Sequence, residues 1–188
     1  MANVAGQAGA WTVLTPIIPG QEDDLRTYLA KLGVGPDSPL AKASRTHFAR
    51  WVVIPQLVYQ GQPQKIDALR SQYLLFTACC DNPRESYLDH LRQTMPEEAD
   101  GIWGHCVGYP GAADAPKFRA YFEHNALDSQ FFVAAYPTSS VGKVRTALKL
   151  RDRLIEFATA SQGLDPAAFA AVYRQSFASL PDAPQVSS

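Results

Sequence analysis

The sequence predicts an α+β protein of the ferredoxin-like, split βαβ type, with a four-stranded antiparallel sheet, helices on one face and extra helices at the C-terminus. Short β-branched runs alternate with amphipathic helical patterns, and proline or glycine clusters separate them. The order is strand, helix, strand, strand, helix, strand, helix. With 188 residues, 46% of them hydrophobic, the chain can build one core. We expect a single domain at residues 1–180 and a flexible tail at 181–188.

Four apolar runs predict the strands. β-Branched and aromatic residues favour extended backbone, and turn-forming or polar residues follow these runs. The runs are Trp11–Ile18, Thr46–Ile54, Tyr73–Cys80 and Phe131–Tyr136. We expect the second and third to pair antiparallel.

Apolar residues at helical spacing predict the helices. The first begins at Gln21 with acids in its first turn, and Gly33 ends it. In the second, Asn82 caps the N-terminus, Pro83 takes the first helical position and Glu85 completes a capping-box-like arrangement. Further helices are expected after Pro96, at residues 117–124, from Ser139 or Ser140 to Gly163, and from Pro166.

Charge and composition argue against several function classes. The chain has 17 basic and 18 acidic residues, and this net charge of −1 gives no field that attracts nucleic acid. No apolar run reaches the ~20 residues of a membrane span, and residues 1–10 lack a signal-peptide pattern. The three cysteines, Cys79, Cys80 and Cys106, fit neither a disulfide framework nor a metal spacing. We therefore expect a cytoplasmic protein with reduced thiols, bound to neither nucleic acid nor membrane.

The second strand carries two polar residues, His47 and Arg50, among large apolar ones. Strict alternation places His47 and Trp51 on one face and Arg50 on the other, so at most one of the two polar groups can face a pocket. We expect His47 and Trp51 to face the pocket. Arg50 then serves the opposite face in an interface ion pair. The alternation also allows the reverse assignment, in which Arg50 faces the pocket as a ligand contact and His47 faces the partner or solvent. A structural, hydrogen-bonded role for His47 is the alternative.

Two further places concentrate reactive groups. Asp81 ends the third strand just before a helix, where backbone N–H groups would keep its carboxylate ionised as an orienting group or a cap. The segment from Trp103 to Tyr109 combines an indole, an imidazole, a thiol and a phenol around glycines. Within it, His105 could act as a base, a hydrogen-bond donor or an axial metal ligand, or could stabilise a helix C-terminus. The sequence contains no Walker, GxGxxG or GxSxG motif and no metal-spaced cluster.

Four segments carry a resemblance to a family: residues 16–20, residues 46–51, the strand from Leu75 to Asp81, and residues 103–110. On these, the chain resembles a group of bacterial proteins in the dimeric α+β barrel superfamily, which includes dye-decolourising peroxidases, chlorite dismutases and small cofactor-free monooxygenases. The group's more usual pattern has Asp-Gly where this chain has Asp81-Asn82. At the level of the superfamily, the resemblance implies redox chemistry with haem as a candidate cofactor, but it assigns no residue to haem. The candidate ligand for a haem iron is His105, on the residues of its own segment.

These observations predict a pocket for a hydrophobic small molecule. Its predicted catalytic residues are His47, Asp81 and His105, and its predicted ligand contacts are Trp51, Trp103, Tyr109 and Arg50. The first hypothesis is a peroxidase-like or oxygenase-like enzyme, for which haem is a candidate cofactor. The alternatives are a non-catalytic binding or accessory module and a cofactor-free monooxygenase. Because one sheet face lacks helices, we also expect a homodimer that covers this face.

Overall fold

A computed structural model describes residues 3–56, 59, 61–63 and 69–177. Within it the chain divides into two compact units, Met1–Gly142 and Lys143–Ser188. The predicted tail at residues 181–188 lies outside the described residues.

The first unit is built on a four-stranded antiparallel sheet. Its strands are β1 (Val4–Ala5), β2 (Ala8–Pro16), β3 (Thr46–Ile54) and β4 (Tyr73–Asp81), in the order β1-β2-β4-β3. Because β4 pairs antiparallel with both β2 and β3, those two strands are parallel with β4 between them. This is a split βαβ arrangement compatible with a ferredoxin-like fold. The predicted α+β class and the antiparallel pairing of β3 with β4 are confirmed.

Helices cover one face of this sheet. The helices are α1 (Glu22–Ala30), a single turn α2 (Pro39–Lys42), α3 (Arg84–Thr94), α4 (Pro96–Trp103) and α5 (Ala115–His124). Alternate residues of β2 and β4 are buried, as period-two side-chain alternation requires. The core includes Trp11, Val13, Leu25, Leu74, Phe76, Leu88, Leu91, Ile102, Trp103, Phe118 and Phe122.

The other face of the sheet is more exposed. By register it carries Phe48 and Val52 of β3 and Leu75 of β4. Phe48 is 79% exposed and Val52 is 41% exposed. This apolar face is one that a partner could cover.

The predicted fourth strand, Phe131–Tyr136, is not a strand. The free edge of β2 is already occupied, because β1 pairs with it, Leu14 N donates to Asn125 O, and Leu127 N donates to Thr12 O. Phe131 and Tyr136 are 83% and 76% exposed. The β2 edge that a fourth strand of this topology would join is therefore taken, and two-residue β1 supplies the fourth strand.

The predicted cap of the second helix is also wrong. α3 begins at Arg84, with Pro83 at the N-cap and no side-chain cap. The Asn82 amide instead donates to Ala8 O at 3.0 Å, which ties the end of β4 to β2.

The second unit contains most of α6 (Val141–Ala160) and all of α7 (Pro166–Phe177). Phe157 of α6 contacts three rings of α7, with centroid distances of 5.2–5.8 Å to Phe169, Tyr173 and Phe177. Asp165 Oδ1 accepts from Ala167 N at 2.9 Å, which confirms the predicted helix start.

Among the described residues, no helix is both long enough and apolar enough to cross a membrane.

Candidate functional site

His47 lies at a bulge in β3. Thr46 pairs with Cys80 of β4 and Phe48 pairs with Cys79, so His47 is an extra residue without a partner in the ladder. Its Nε2 bonds to Asp81 Oδ1 at 3.0 Å, and Asp81 belongs by register to the face opposite the core. Alternation predicted that His47 and Trp51 share one face. The bulge corrects this prediction, because it turns His47 to the face of the sheet opposite Trp51.

Asp81 holds two partners at once. Its carboxylate bonds to His47 and also accepts from Val141 N, at 3.1 and 3.2 Å, where α6 begins. The side chains of His47 and Asp81 are only 18% and 13% exposed. The predicted contact between Asp81 and a helix N-terminus thus exists, but the helix is α6 instead of α3. A histidine oriented by a carboxylate can serve as a base when a substrate reaches its other nitrogen.

His105 lies at the other end of the sheet. Its carbonyl accepts from Ile18 N at 2.9 Å, just beyond the end of β2 that pairs with Tyr73. His47 sits at the Asp81 end of β4, eight residue steps away along the nine-residue strand, which corresponds to about 26 Å. The structure therefore does not bring His47 and His105 into one pocket.

The surroundings of His105 are polar and aromatic. Its Nδ1 bonds to Gln21 Oε1 at 3.0 Å, and its ring centroid lies 6.5 Å from that of Tyr28. The neighbouring Tyr109 hydroxyl donates to Asp100 Oδ1 at 2.8 Å. Burial, with Asp100 as a second cause, raises the pKa of Tyr109 well above its usual range. Tyr109 is therefore a neutral hydrogen-bond donor at ordinary pH.

Trp51 and Trp103 belong to the core. Trp103 is completely buried, and its ring lies 6.1 Å from Trp51, 5.4 Å from Phe76 and 4.8 Å from Phe122. Trp51 stacks on Phe76 at 5.4 Å. These indoles pack the sheet against the helices and do not form the wall of an open pocket.

Arg50 lies on the exposed face of the sheet. Its Nε donates to Thr77 Oγ1 at 3.1 Å across β3 and β4. The expectation that Arg50 serves the face opposite the core fits this position, but the bulge places His47 on the same side.

A cleft of about 400 Å³ lies elsewhere, at the edge of the sheet. Its walls come from the N-terminal hairpin, from β2, from the start of α3 and from Asp128. The lining is mostly apolar and consists of Asn3, Val4, Gly6, Gly9, Ala10, Trp11, Asn82, Pro83, Arg84, Glu85 and Asp128. This volume falls within the range of small-molecule sites.

Arg84 and Trp11 are the distinctive pair in this cleft. The Arg84 guanidinium carbon lies 3.8 Å from the centroid of the Trp11 ring, a cation–π contact. Nε and Nη2 of Arg84 are buried without a hydrogen-bond partner, and so is the indole N–H of Trp11, whose side chain is 2% exposed. Buried donors of this kind are normally satisfied, so these three N–H groups are unusual among the residues that line the cleft.

Sequence reasoning missed this site. One signal was present: Arg84 is the first residue of α3, and a cation is unfavourable beside the positive end of a helix dipole. A charge against the dipole indicates a residue selected for another reason. The pairing with Trp11 has no local signature, because the two residues are 73 positions apart.

The three cysteines are free thiols. Burial raises the pKa of the Cys80 thiol to about 12 and that of Cys106 to about 11. Such thiols stay protonated at neutral pH and are poor nucleophiles.

Two features of the described residues bear on haem at His105, and they point in opposite directions. The bond to Gln21 is typical of a histidine held for metal binding. An axial ligand also needs an open cavity beside it, and His105 lines neither the Arg84 cleft nor two smaller clefts along α6 and α7. His47 lines none of the three. Within the described ranges, no three His, Cys, Asp or Glu side chains form a group that could hold a metal ion.

Comparison with protein-family models, with curated proteins and with solved structures gives no match.

Proposed function

We propose that this chain is a non-catalytic small-molecule-binding protein, with its ligand in the cleft between Trp11 and the start of α3. The observation that supports this is the set of unpartnered donors on Arg84 and Trp11 in a mostly apolar cleft of about 400 Å³. Apolar walls with a few convergent polar groups are the usual composition of a ligand site.

The enzyme hypotheses receive less support from the geometry. His47 and His105 lie at opposite ends of β4, and each already has a hydrogen-bond partner. Neither histidine lines any of the three clefts. A catalytic group must lie within hydrogen-bond reach of a bound substrate. The binding-module alternative therefore fits better than haem-dependent or cofactor-free oxidation.

Two further proposals concern the state of the protein in the cell. A second copy of the chain covers the exposed sheet face around Phe48 and Val52, because an apolar sheet face needs a cover. The location is cytoplasmic, which the free thiols of Cys79, Cys80 and Cys106 support, since reducing compartments keep thiols unpaired.

The indole N–H groups provide a direct test of the binding proposal. The chain has three tryptophans, so a ¹H–¹⁵N correlation spectrum shows three indole signals, which single Trp→Phe variants assign. We expect members of a panel of neutral, anionic and cationic aromatic fragments to shift the Trp11 signal. Buried Trp103 serves as the internal reference.

A matched pair of variants locates the binding. Val4 lines the cleft and is 53% exposed, so Val4→Phe narrows the site without disturbing the core. Val34 is 85% exposed in a loop after α1, and Val34→Phe is the control. Fragment binding should weaken only in Val4→Phe. A panel in which no fragment shifts the Trp11 signal, or in which both variants bind like the native chain, would refute the proposal.

A further inference from the structure

The cleft has a charge preference that its apolar lining does not reveal. We infer that its ligand is a small carboxylate with an apolar body, and that Arg84 binds the carboxylate. This inference rests on the proposed function and adds the chemical class of the ligand.

Arg84 carries the argument. Its guanidinium is a cation, and its Nε and Nη2 are buried without an acceptor. A carboxylate is the group that matches the planar fork of donors on a guanidinium, with two parallel hydrogen bonds. A neutral carbonyl can satisfy one donor but leaves the charge without a counter-ion.

Trp11 fixes the position of this charge. The guanidinium lies 3.8 Å from the ring centroid, and the side chain of Trp11 is 98% buried in the sheet, since only 2% is exposed. Its indole N–H is also unpartnered, and Trp11 is one of the residues that line the cleft. A ligand therefore meets a cation that is already positioned, so little ordering is needed on binding.

The start of α3 adds to the positive potential. This 11-residue helix has no side-chain cap, and its first internal bond runs from Tyr87 N to Pro83 O. The backbone N–H groups of Arg84 and Glu85 precede that bond and belong to residues that line the cleft. Free N–H groups at a helix N-terminus favour an anion.

Two carboxylates also line the cleft and oppose this preference. Glu85 and Asp128 are both exposed, and Asp128 already accepts a hydrogen bond from Asn3 Nδ2 at 2.7 Å. Water and salt screen exposed charges more strongly than a half-buried one such as Arg84. Arg84 therefore dominates at contact distance, while the rim acids act on the approach of the ligand.

The test compares three probes with one aromatic body. Phenylacetate, phenylacetamide and phenethylamine are titrated separately, and the shift of the Trp11 indole signal gives each Kd. We expect phenylacetate to bind at least about tenfold more tightly than the amide, because charge-assisted bonds exceed neutral ones by this order. The amine should bind most weakly. Equal or tighter binding of the amide or the amine would overturn the inference while leaving the proposed function intact.

Variants of Arg84 assign the preference to one residue. Arg84→Met keeps the alkyl chain against Trp11 and removes the charge, so the preference for phenylacetate over phenylacetamide should fall to within about twofold. Arg84→Lys keeps the charge without the fork of donors and should retain part of the preference for phenylacetate. Arg50→Met, on the exposed sheet face, is the matched control and should leave the preference for phenylacetate unchanged. Unchanged Trp51 and Trp103 signals verify folding in each variant. A preference for phenylacetate that survives Arg84→Met, or that Arg50→Met removes, would contradict the inference. If no probe shifts the Trp11 signal, the result counts against the proposed function itself.

Discussion

The carboxylate of Asp81 joins three separate parts of the first unit, and Asp81→Ala should destabilise it strongly. Asp81 lies at the end of β4, His47 in the bulge of β3, and Val141 at the start of α6. The carboxylate bonds to His47 Nε2 at 3.0 Å and to Val141 N at 3.1 and 3.2 Å. Alanine removes the acceptor from both donors.

The expected loss follows from the number and burial of these bonds. A hydrogen bond to a charged group contributes ~1.5–3 kcal/mol, so two contribute ~3–6 kcal/mol when fully buried. The side chains of His47 and Asp81 are 18% and 13% exposed, so water partly replaces the lost acceptor. We therefore expect the free energy of unfolding to fall by about 3 kcal/mol, a large part of the ~5–15 kcal/mol that folded domains have.

Urea unfolding followed by circular dichroism measures this loss. The control is Asp128→Ala, which removes an exposed carboxylate with one bond to Asn3 and should cost less than about 1 kcal/mol. A double-mutant cycle between Asp81→Ala and His47→Ala should give a coupling energy of about 1 kcal/mol or more. If Asp81→Ala stays within about 1 kcal/mol of the native chain, or the two substitutions are additive, the reasoning fails.

Three further predictions concern packing, thiols and assembly. In Gly101→Ala, the new Cβ would lie 2.2 Å from the Tyr28 hydroxyl, so this helical Gly→Ala change should destabilise the protein by about 1–3 kcal/mol in urea unfolding, and Tyr28→Leu should relieve the loss. In the folded chain, burial raises the pKa values of the Cys80 and Cys106 thiols to about 12 and about 11. The unfolded chain therefore loses the two thiol protons at a lower pH than the folded chain, and the urea midpoint should fall as pH rises from about 9 to 11. In light scattering, the native chain should have twice the chain mass, and Phe48→Asp, which charges the exposed sheet face, should be monomeric.

Each of these three predictions has its own control variant. Gly142→Ala meets no atom closer than 3.8 Å and should not destabilise the protein; equal losses in the two alanine variants would exclude the Tyr28 clash as the cause. For the thiols, Cys80→Ala with Cys106→Ala should make the alkaline decline shallower, the remainder coming from buried tyrosines such as Tyr109, whose pKa is also raised by burial; an unchanged slope would assign the decline to other groups. For assembly, Val34→Asp, in a loop, should leave the dimer intact, and a native chain that is monomeric would rule out the dimer.

Much of the fold could be predicted because its signals are local. The apolar run at residues 73–80 and the acids after Gln21 depend only on neighbouring residues, and the structure places β4 and α1 there. The candidate site could be predicted only in part. Asp81 and His47, predicted for one pocket, do lie together. His105, predicted for the same pocket, does not join them, because it lies at the opposite end of β4.

The sequence by itself determined the longer helices and the three long strands, since period and turn chemistry are written in adjacent residues, whereas the single turn α2 was not predicted. The tertiary structure decided three things. It placed Asn125 and Leu127 on the edge of β2 and so left Phe131–Tyr136 without a strand partner. It inserted His47 as a bulge, and it brought Arg84 onto Trp11. All three depend on contacts between residues far apart in the chain, where register and edge occupancy are set by competition among whole elements and not by the residues on either side.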